Sequence, residues 1–98
     1  MYAFIQDVPI NDELYAKIRA NLGNEPLPGL VLHLVVRRED GQLRYIDVWE
    51  SKEACSETFE KRIHPAVFSA FKEAKFRPSG EPPRTEMAVV DLMVGGPR

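Results

Sequence analysis

The stretch from Gly29 to Glu50 decides the fold, and it reads GLVLHLVVRREDGQLRYIDVWE. Two runs rich in β-branched and aromatic residues flank Asp40-Gly41, a dipeptide typical of hairpin turns. The first run is apolar at both alternating sets of positions, so both of its faces are expected to be covered. The stretch therefore predicts a β-hairpin whose first strand needs more cover than a small domain supplies.

The segments on either side of this hairpin predict two more strands and two helical regions. Asn11 and Ser51 are residue types that cap helix N-termini, and Gly23 is a natural helix stop. The residue before a proline is pushed out of the helical conformation, so His64-Pro65 predicts an interruption of the second region. The predicted elements are, in chain order, strand Tyr2–Val8, a helix from Asn11 to Gly23, the hairpin, helical segments on both sides of His64-Pro65, and strand Glu86–Val94.

The resulting order, β-α-β-β-α-β, is that of a ferredoxin-like domain and places the chain in the α+β class. Right-handed crossovers put the first and third strands at the centre of an antiparallel sheet, with both helices on one face. Residues 1–98 are enough for one such domain. The second strand then lies at a sheet edge, and an uncovered apolar sheet face is typical of an interface. We therefore predict a two-fold homodimer in which two sheets pack face to face.

Composition and charge argue against several kinds of partner. The net charge of −2 disfavours a nucleic-acid or anionic membrane surface, which needs clustered Lys and Arg. Tyr2, Phe4 and Tyr45 are aromatics of the kind on which such a sheet stacks RNA bases, but the acidic balance is wrong for that function. The single cysteine, Cys55, excludes an internal disulfide and a cysteine-based zinc site. No stretch approaches the length of a membrane span and the N-terminus has no basic leader, so we expect a cytoplasmic protein.

The end of the hairpin carries a resemblance to a known family. The segment Leu43–Ser51, with Trp49-Glu50-Ser51 at its end, precedes a helix that contains Ala54 and Phe59. This pattern resembles the third strand and following helix of antibiotic biosynthesis monooxygenase-like proteins, and the element order agrees from Tyr2 to Val94. The resemblance implies a ferredoxin-like protomer, a dimeric α+β barrel and a pocket between sheet and helices. It also implies a choice of activities, among them cofactor-free oxygenation of aromatic polyketides or quinols, haem degradation and isomerisation.

The haem-degrading branch of that family is a poor match. Its members use an Asn on the first strand and a Trp and a His on the helix after the third strand. Here the comparable first-strand residue is Gln6, and the helix offers Phe59 in place of a tryptophan. His64 also lies closer to Trp49 in sequence than the family's haem-binding histidine lies to its tryptophan. We therefore expect no cofactor.

Two carboxylates interrupt the predicted strands and are candidate pocket residues. Asp47 lies in the third strand and Asp91 in the fourth, and an unpaired buried carboxylate is costly. Each is either a base or hydrogen-bond acceptor for a ligand hydroxyl, or the partner of Arg37, Arg44 or a residue across the dimer interface. A two- or four-residue turn places Asp47 and His33 on opposite faces of the sheet, whereas a three-residue loop reverses that pairing.

The remaining pocket candidates are the two histidines and two aromatic residues. His33 and His64 are each a candidate base or ligand-orienting group, with a hydrogen-bonded core residue and a helix cap as the alternatives. Trp49 and Phe59 are a candidate aromatic wall for a flat ligand, or plain core. No cluster at ligand spacing predicts a metal site. The pocket candidates are therefore His33, Asp47, Trp49, Phe59, His64 and Asp91.

Two functions follow from this reading. The first is a small-molecule pocket enzyme that oxygenates an aromatic or quinol-like compound without a cofactor. The second is a non-catalytic, dimeric ligand-binding or stress-related module with the same fold. Fold alone does not separate them, because one fold hosts many functions.

Overall fold

The computed structural model describes residues 1–96. Its strands are β1 (Tyr2–Val8), β2 (Leu30–Arg37), β3 (Leu43–Trp49) and β4 (Arg84–Ala88). Its helices are α1 (Asp12–Leu22), α2 (Lys52–Thr58) and α3 (His64–Ala74), and a π-helical segment, Phe59–Ile63, joins α2 to α3.

The strands form one antiparallel sheet in the order β2-β3-β1-β4. The predicted ferredoxin-like α+β fold is confirmed, with β1 and β3 at the centre. The predicted caps are also confirmed: the Asn11 side chain accepts a hydrogen bond from the Leu14 amide, and that of Ser51 from the Ala54 amide. Each satisfies a backbone N–H that has no partner within its helix. No helix among the described residues is both long and apolar enough to cross a membrane.

Two groups of buried side chains hold the helices against one face of the sheet. Phe4 and Trp49 are fully buried on that face together with Cys55 of α2. Leu14 and Ile18 of α1 pack with Ala70 of α3 in a second group. The opposite face of the sheet carries no helix of the described chain. The sheet therefore has one filled face and one open face.

The last strand is shorter than predicted. The prediction was Glu86–Val94, whereas β4 ends at Ala88. Ala88 pairs with Tyr2, the first residue of β1, so the chain beyond it meets no neighbouring strand among the described residues. Asp91 thus lies outside the sheet and is exposed.

The predicted interruption at His64-Pro65 is also wrong, since the helical backbone continues from Lys52 to Ala74. Pro65 has no N–H for the carbonyl four residues earlier, and its ring would collide with that carbonyl in a regular helix. The π-helical turn widens the helix at this point, and the His64 N–H donates to the carbonyl of Phe59, five residues back. His64 itself stays helical, with φ −57° and ψ −45°.

Candidate functional site

A cavity of about 970 Å³ lies between the filled face of the sheet, α1, α3 and the segment that leads into β4. This volume is within the range of small-molecule sites. Its walls are mainly apolar, and its few polar side chains come from the sheet, α1, α3 and the segment before β4. Five predicted pocket residues line it, namely His33, Asp47, Trp49, Phe59 and His64, and Asp91 does not.

The hairpin turn decides which side chains reach this cavity. Arg38 and Gln42 close the turn with an N–H to carbonyl hydrogen bond of 2.8 Å, and three residues, 39–41, form the loop between them. Gly41 adopts a φ of +88°, a left-handed conformation that suits the third position of such a loop. His33 therefore pairs directly with Asp47 across the strands, on the cavity side. The assignment for a two- or four-residue turn, which separates these two residues, is wrong.

His33 and Asp47 form a hydrogen-bonded pair in the cavity wall. The Nδ1 of His33 lies 2.6 Å from the Oδ1 of Asp47. Asp47 is only 3% exposed. The carboxylate accepts, so Nδ1 carries a proton, and in the neutral form of the imidazole Nε2 keeps its lone pair. This arrangement makes His33 a hydrogen-bond acceptor, and a base, at Nε2.

Trp49 completes the coordination of the carboxylate. Its indole Nε1 donates to the Oδ2 of Asp47 at 3.1 Å, so each carboxylate oxygen has an N–H partner. The alternative arginine partners bind elsewhere, Arg44 to Asp7 and Arg37 to Asp12. Asp47 is thus held by a histidine and a tryptophan of its own sheet. It orients His33 and compensates any positive charge that develops there.

Tyr15 of α1 is a site residue that the sequence analysis missed. Its hydroxyl lies 3.0 Å from the Nε2 of His33, and the two rings are nearly parallel, with centroids 6.3 Å apart. Burial raises the pKa of the Tyr15 phenol; the charge of Arg19 opposes this shift, and that of Asp47 adds to it. The neutral phenol is therefore favoured, and it donates to the free lone pair of His33.

Tyr45 packs the pair from the side. Its ring meets the His33 ring edge-on at 5.2 Å and the Tyr15 ring at 5.9 Å. Burial is the main cause that raises the pKa of Tyr45, with smaller contributions from Tyr15 and Asp47. Tyr45 thus packs against both rings of the hydrogen-bonded chain from Tyr15 to Asp47.

His64 and Phe59 lie in a second, more open part of the cavity wall. The His64 ring stacks on Phe68 and meets the edge of Phe59, both with centroids 5.6 Å apart. Its Nε2 is 3.7 Å from the nearer carboxylate oxygen of Glu81. Phe59 also contacts Trp49, with ring centroids 5.7 Å apart. The two aromatic residues line the cavity and are also part of the core cluster. Within residues 1–96, His64 has no buried carboxylate partner comparable to Asp47.

Gln6 closes the cavity on the β1 side. Its residue is 4% exposed, and its amide nitrogen donates to the carbonyl of Pro82 at 2.8 Å. This bond holds the segment before β4 against the sheet. Among residues 1–96, no group of three or more His, Cys, Asp or Glu side chains is arranged to hold a metal ion.

The one-sided helical layer and the cavity beneath it define an α+β ferredoxin-like protein with room for a small molecule. No protein-family model matches the chain, and no curated protein matches its sequence. Solved structures do share its fold. One, described as an antibiotic biosynthesis monooxygenase from Chloroflexus aurantiacus, has a TM-score of 0.65 at 20% identity, over 97% of this chain and 98% of that one.

Two further structures have related folds. A mutant of MhuD with two manganese protoporphyrin IX bound per active site gives a TM-score of 0.63 at 20% identity, over 98% of this chain and 100% of that one. A mutant of SnoaB from Streptomyces nogalater, described as a cofactor-independent oxygenase, gives a TM-score of 0.53 at 14% identity, over 94% of this chain and 93% of that one. The chain therefore has the fold of antibiotic biosynthesis monooxygenase-like proteins, as the sequence resemblance predicted.

Proposed function

We propose that the chain binds a planar aromatic compound with an acidic hydroxyl group in this cavity and oxygenates it without a cofactor. The observation that carries the proposal is the Asp47–His33 pair in the wall of an apolar cavity. An orienting carboxylate, an imidazole with a lone pair at Nε2 and a mainly apolar wall are the parts of a general base. The shared fold of SnoaB, described as a cofactor-independent oxygenase, agrees with this chemistry.

The base has a defined task in such a reaction. Removing a hydroxyl proton from a hydroquinone gives an electron-rich anion, which reduces dioxygen directly. One oxygen atom enters the ring and the other leaves as water, so hydroquinone plus dioxygen yields a hydroxyquinone plus water. The proton taken at His33 forms an imidazolium beside Asp47, where the carboxylate stabilises it. The substrate supplies all the electrons.

The residues present do not fit a haem. The Nε2 of His64, the atom that would bind iron, faces the carboxylate of Glu81. The amide nitrogen of Gln6 is bonded to the carbonyl of Pro82. Trp49 is in β3 and not on a helix, and its N–H is bonded to Asp47. The proposal therefore uses no step through haem.

We also infer a homodimer built on the open face of the sheet. Leu32 and Leu34 of β2 are 37% and 44% exposed on this face, and Met87 of β4 is 40% exposed. Ala3 and Val48 lie between them in the same row of the sheet and are themselves buried, so the exposed apolar side chains of this row come from the two edge strands. A second copy covers this surface when two sheets pack face to face.

Light scattering at micromolar concentration tests the assembly. We expect a dimer for the natural chain and a monomer for Leu34→Lys, because the new charge replaces one of the exposed apolar side chains of this face. Ala20→Lys is the matched control, since Ala20 is exposed on α1, and it should leave the dimer intact. A monomeric natural chain contradicts the inference.

The cytoplasmic location stays a prediction.

Oxygen consumption with a panel of hydroquinones and naphthols tests the activity. His33→Ala should lower kcat by a factor of about 10² to 10⁴, the usual contribution of a general base. His64→Ala changes the other histidine of the wall and should affect KM more than kcat. If no compound is turned over but a thermal-shift screen finds a tight ligand, the chain is a non-catalytic binding module and the oxygenase proposal is wrong.

A further inference from the structure

We propose that Tyr15 is the catalytic residue that contacts the substrate hydroxyl and relays its proton to His33. This inference rests on the proposed function for its substrate class, a phenol or hydroquinone. It assigns a role to a residue of α1, whereas the base itself is in the sheet. The relay consists of the side chains of Tyr15, His33 and Asp47.

The hydrogen bonds of His33 leave no other direct route. Its Nδ1 is bonded to Asp47 at 2.6 Å, and its Nε2 is bonded to the Tyr15 hydroxyl at 3.0 Å. A neutral imidazole has one lone pair in the ring plane, so Tyr15 occupies the acceptor site of the base. A substrate hydroxyl must either displace Tyr15 or act through its oxygen, which can accept a second hydrogen bond.

Packing favours the second route. The Tyr15 ring lies against His33 on one side and Tyr45 on another, with centroids 6.3 Å and 5.9 Å apart. Its neighbours in α1, Leu14 and Ile18, are buried in the contact between helices, so the backbone is anchored on both sides. Displacing the Tyr15 side chain would disrupt these contacts, whereas a relay through its hydroxyl leaves every ring in place. Tyr15 also lines the cavity, where a substrate can reach its oxygen.

The transfer conserves both protons and charge. The substrate O–H bond breaks as a new O–H bond forms on Tyr15, and the original Tyr15 O–H bond breaks as N–H forms at His33 Nε2. Tyr15 is neutral before and after the transfer, and no group is oxidised or reduced. The imidazolium lies beside Asp47, and Arg19, which also lines the cavity, is the cation available to the substrate anion. The charged groups that act on Tyr15 are therefore Asp47 from the sheet and Arg19 from α1.

A chromophoric phenol tests the relay without any oxygen chemistry. p-Nitrophenol changes its absorption when it ionises, so absorbance reports its ionisation state in the cavity directly. The measurement is made at a pH slightly below the pKa of the free probe. We expect the natural chain to bind the probe largely as the anion. Tyr15→Phe and His33→Ala should each lower the ratio of ionised to neutral bound probe by about tenfold or more, in line with a positioned proton acceptor. p-Nitroanisole, which has no proton to give, should bind both variants within about twofold of the natural chain.

Tyr2→Phe is the matched control, because the Tyr2 hydroxyl is buried with no hydrogen-bond partner in the described chain. It should leave probe ionisation unchanged. If Tyr15→Phe ionises the probe as well as the natural chain, or better, then Tyr15 only blocks His33 and the relay is wrong. A natural chain that binds the probe in neutral form also overturns it. Probe ionisation by a chain that consumes no oxygen with any compound of the hydroquinone and naphthol panel supports the relay and contradicts the oxygenase, so the two failures are distinguishable.

Discussion

Replacing Asp47 separates its role as a hydrogen-bond acceptor from its role as a charge. The carboxylate accepts from the Trp49 indole at 3.1 Å and from His33 at 2.6 Å, and its residue is 3% exposed. Asp47→Ala removes both acceptors. Asp47→Asn keeps one oxygen, which can still accept from the indole.

The two variants should differ in stability by a measurable amount. In Asp47→Ala the indole N–H of Trp49, which is fully buried, loses its acceptor, and an unsatisfied buried donor costs about 1–3 kcal/mol. The loss of the charged hydrogen bond to His33 brings the total to about 3–5 kcal/mol, as for other broken buried pairs. The side chain of His33 is 28% exposed and can regain water, which favours the lower end. Asp47→Asn should cost about 1–2 kcal/mol.

Urea unfolding at one fixed protomer concentration measures these differences, with the fluorescence of Trp49, the single tryptophan, as the signal. Asp12→Ala is the control, because it removes an exposed carboxylate paired with Arg37 and should change the unfolding free energy by less than about 1 kcal/mol. The reasoning is refuted if Asp47→Ala is as stable as the natural chain. It is equally refuted if Asp47→Asn is as damaging as Asp47→Ala.

Three further predictions concern a close approach and two titrating groups. Gly29→Ala should cost at least about 1 kcal/mol more than Gly41→Ala in urea unfolding, because both have positive φ but only at Gly29 would a Cβ lie 2.6 Å from an α2 methyl group. Arg44 holds the pKa of Asp7 below its usual value, so this stabilisation is present above the unfolded-state pKa and lost as pH falls through the folded one. Asp7→Asn should therefore flatten the acid side of a plot of urea midpoint against pH, and an unchanged slope would contradict this. Burial raises the pKa of Tyr45 in the folded chain. The stabilisation that comes from keeping this phenol neutral is therefore complete below the ordinary tyrosine pKa, and it is lost as the pH rises through the folded-state pKa. In an alkaline absorbance titration Tyr45→Phe should remove the latest-ionising phenol.

The element order could be predicted because its signals are local. Capping residues, a glycine stop and the alternation of the strands each act within a few positions, and chain handedness then orders the sheet. The length of β4 could not, because it depends on where β1 begins and not on the apolar pattern of residues 86–94. The helix through Pro65 could not either, since a widened turn is a tertiary compromise.

The site was harder to predict than the fold for a related reason. His33 and Asp47 were both candidates, but their meeting depends on the number of residues that the turn consumes, and Asp40-Gly41 fits turns of more than one length. Tyr15 gave no signal of its own, because its partner lies in another element and a helix tyrosine is ordinarily a packing residue. The one available hint was the three-residue alternative, which places both polar strand residues on the face that the helices cover.

The three-residue loop at positions 39–41 has a consequence for how this site can be inherited or lost. Strand side chains alternate, so an insertion or deletion of one residue there would turn His33 away from Asp47 without changing either of them. Two descendants of one ancestor could thus keep every polar residue and differ only in an indel, one with the proton acceptor and one without it. In this chain, loop length thus decides whether the histidine meets the carboxylate.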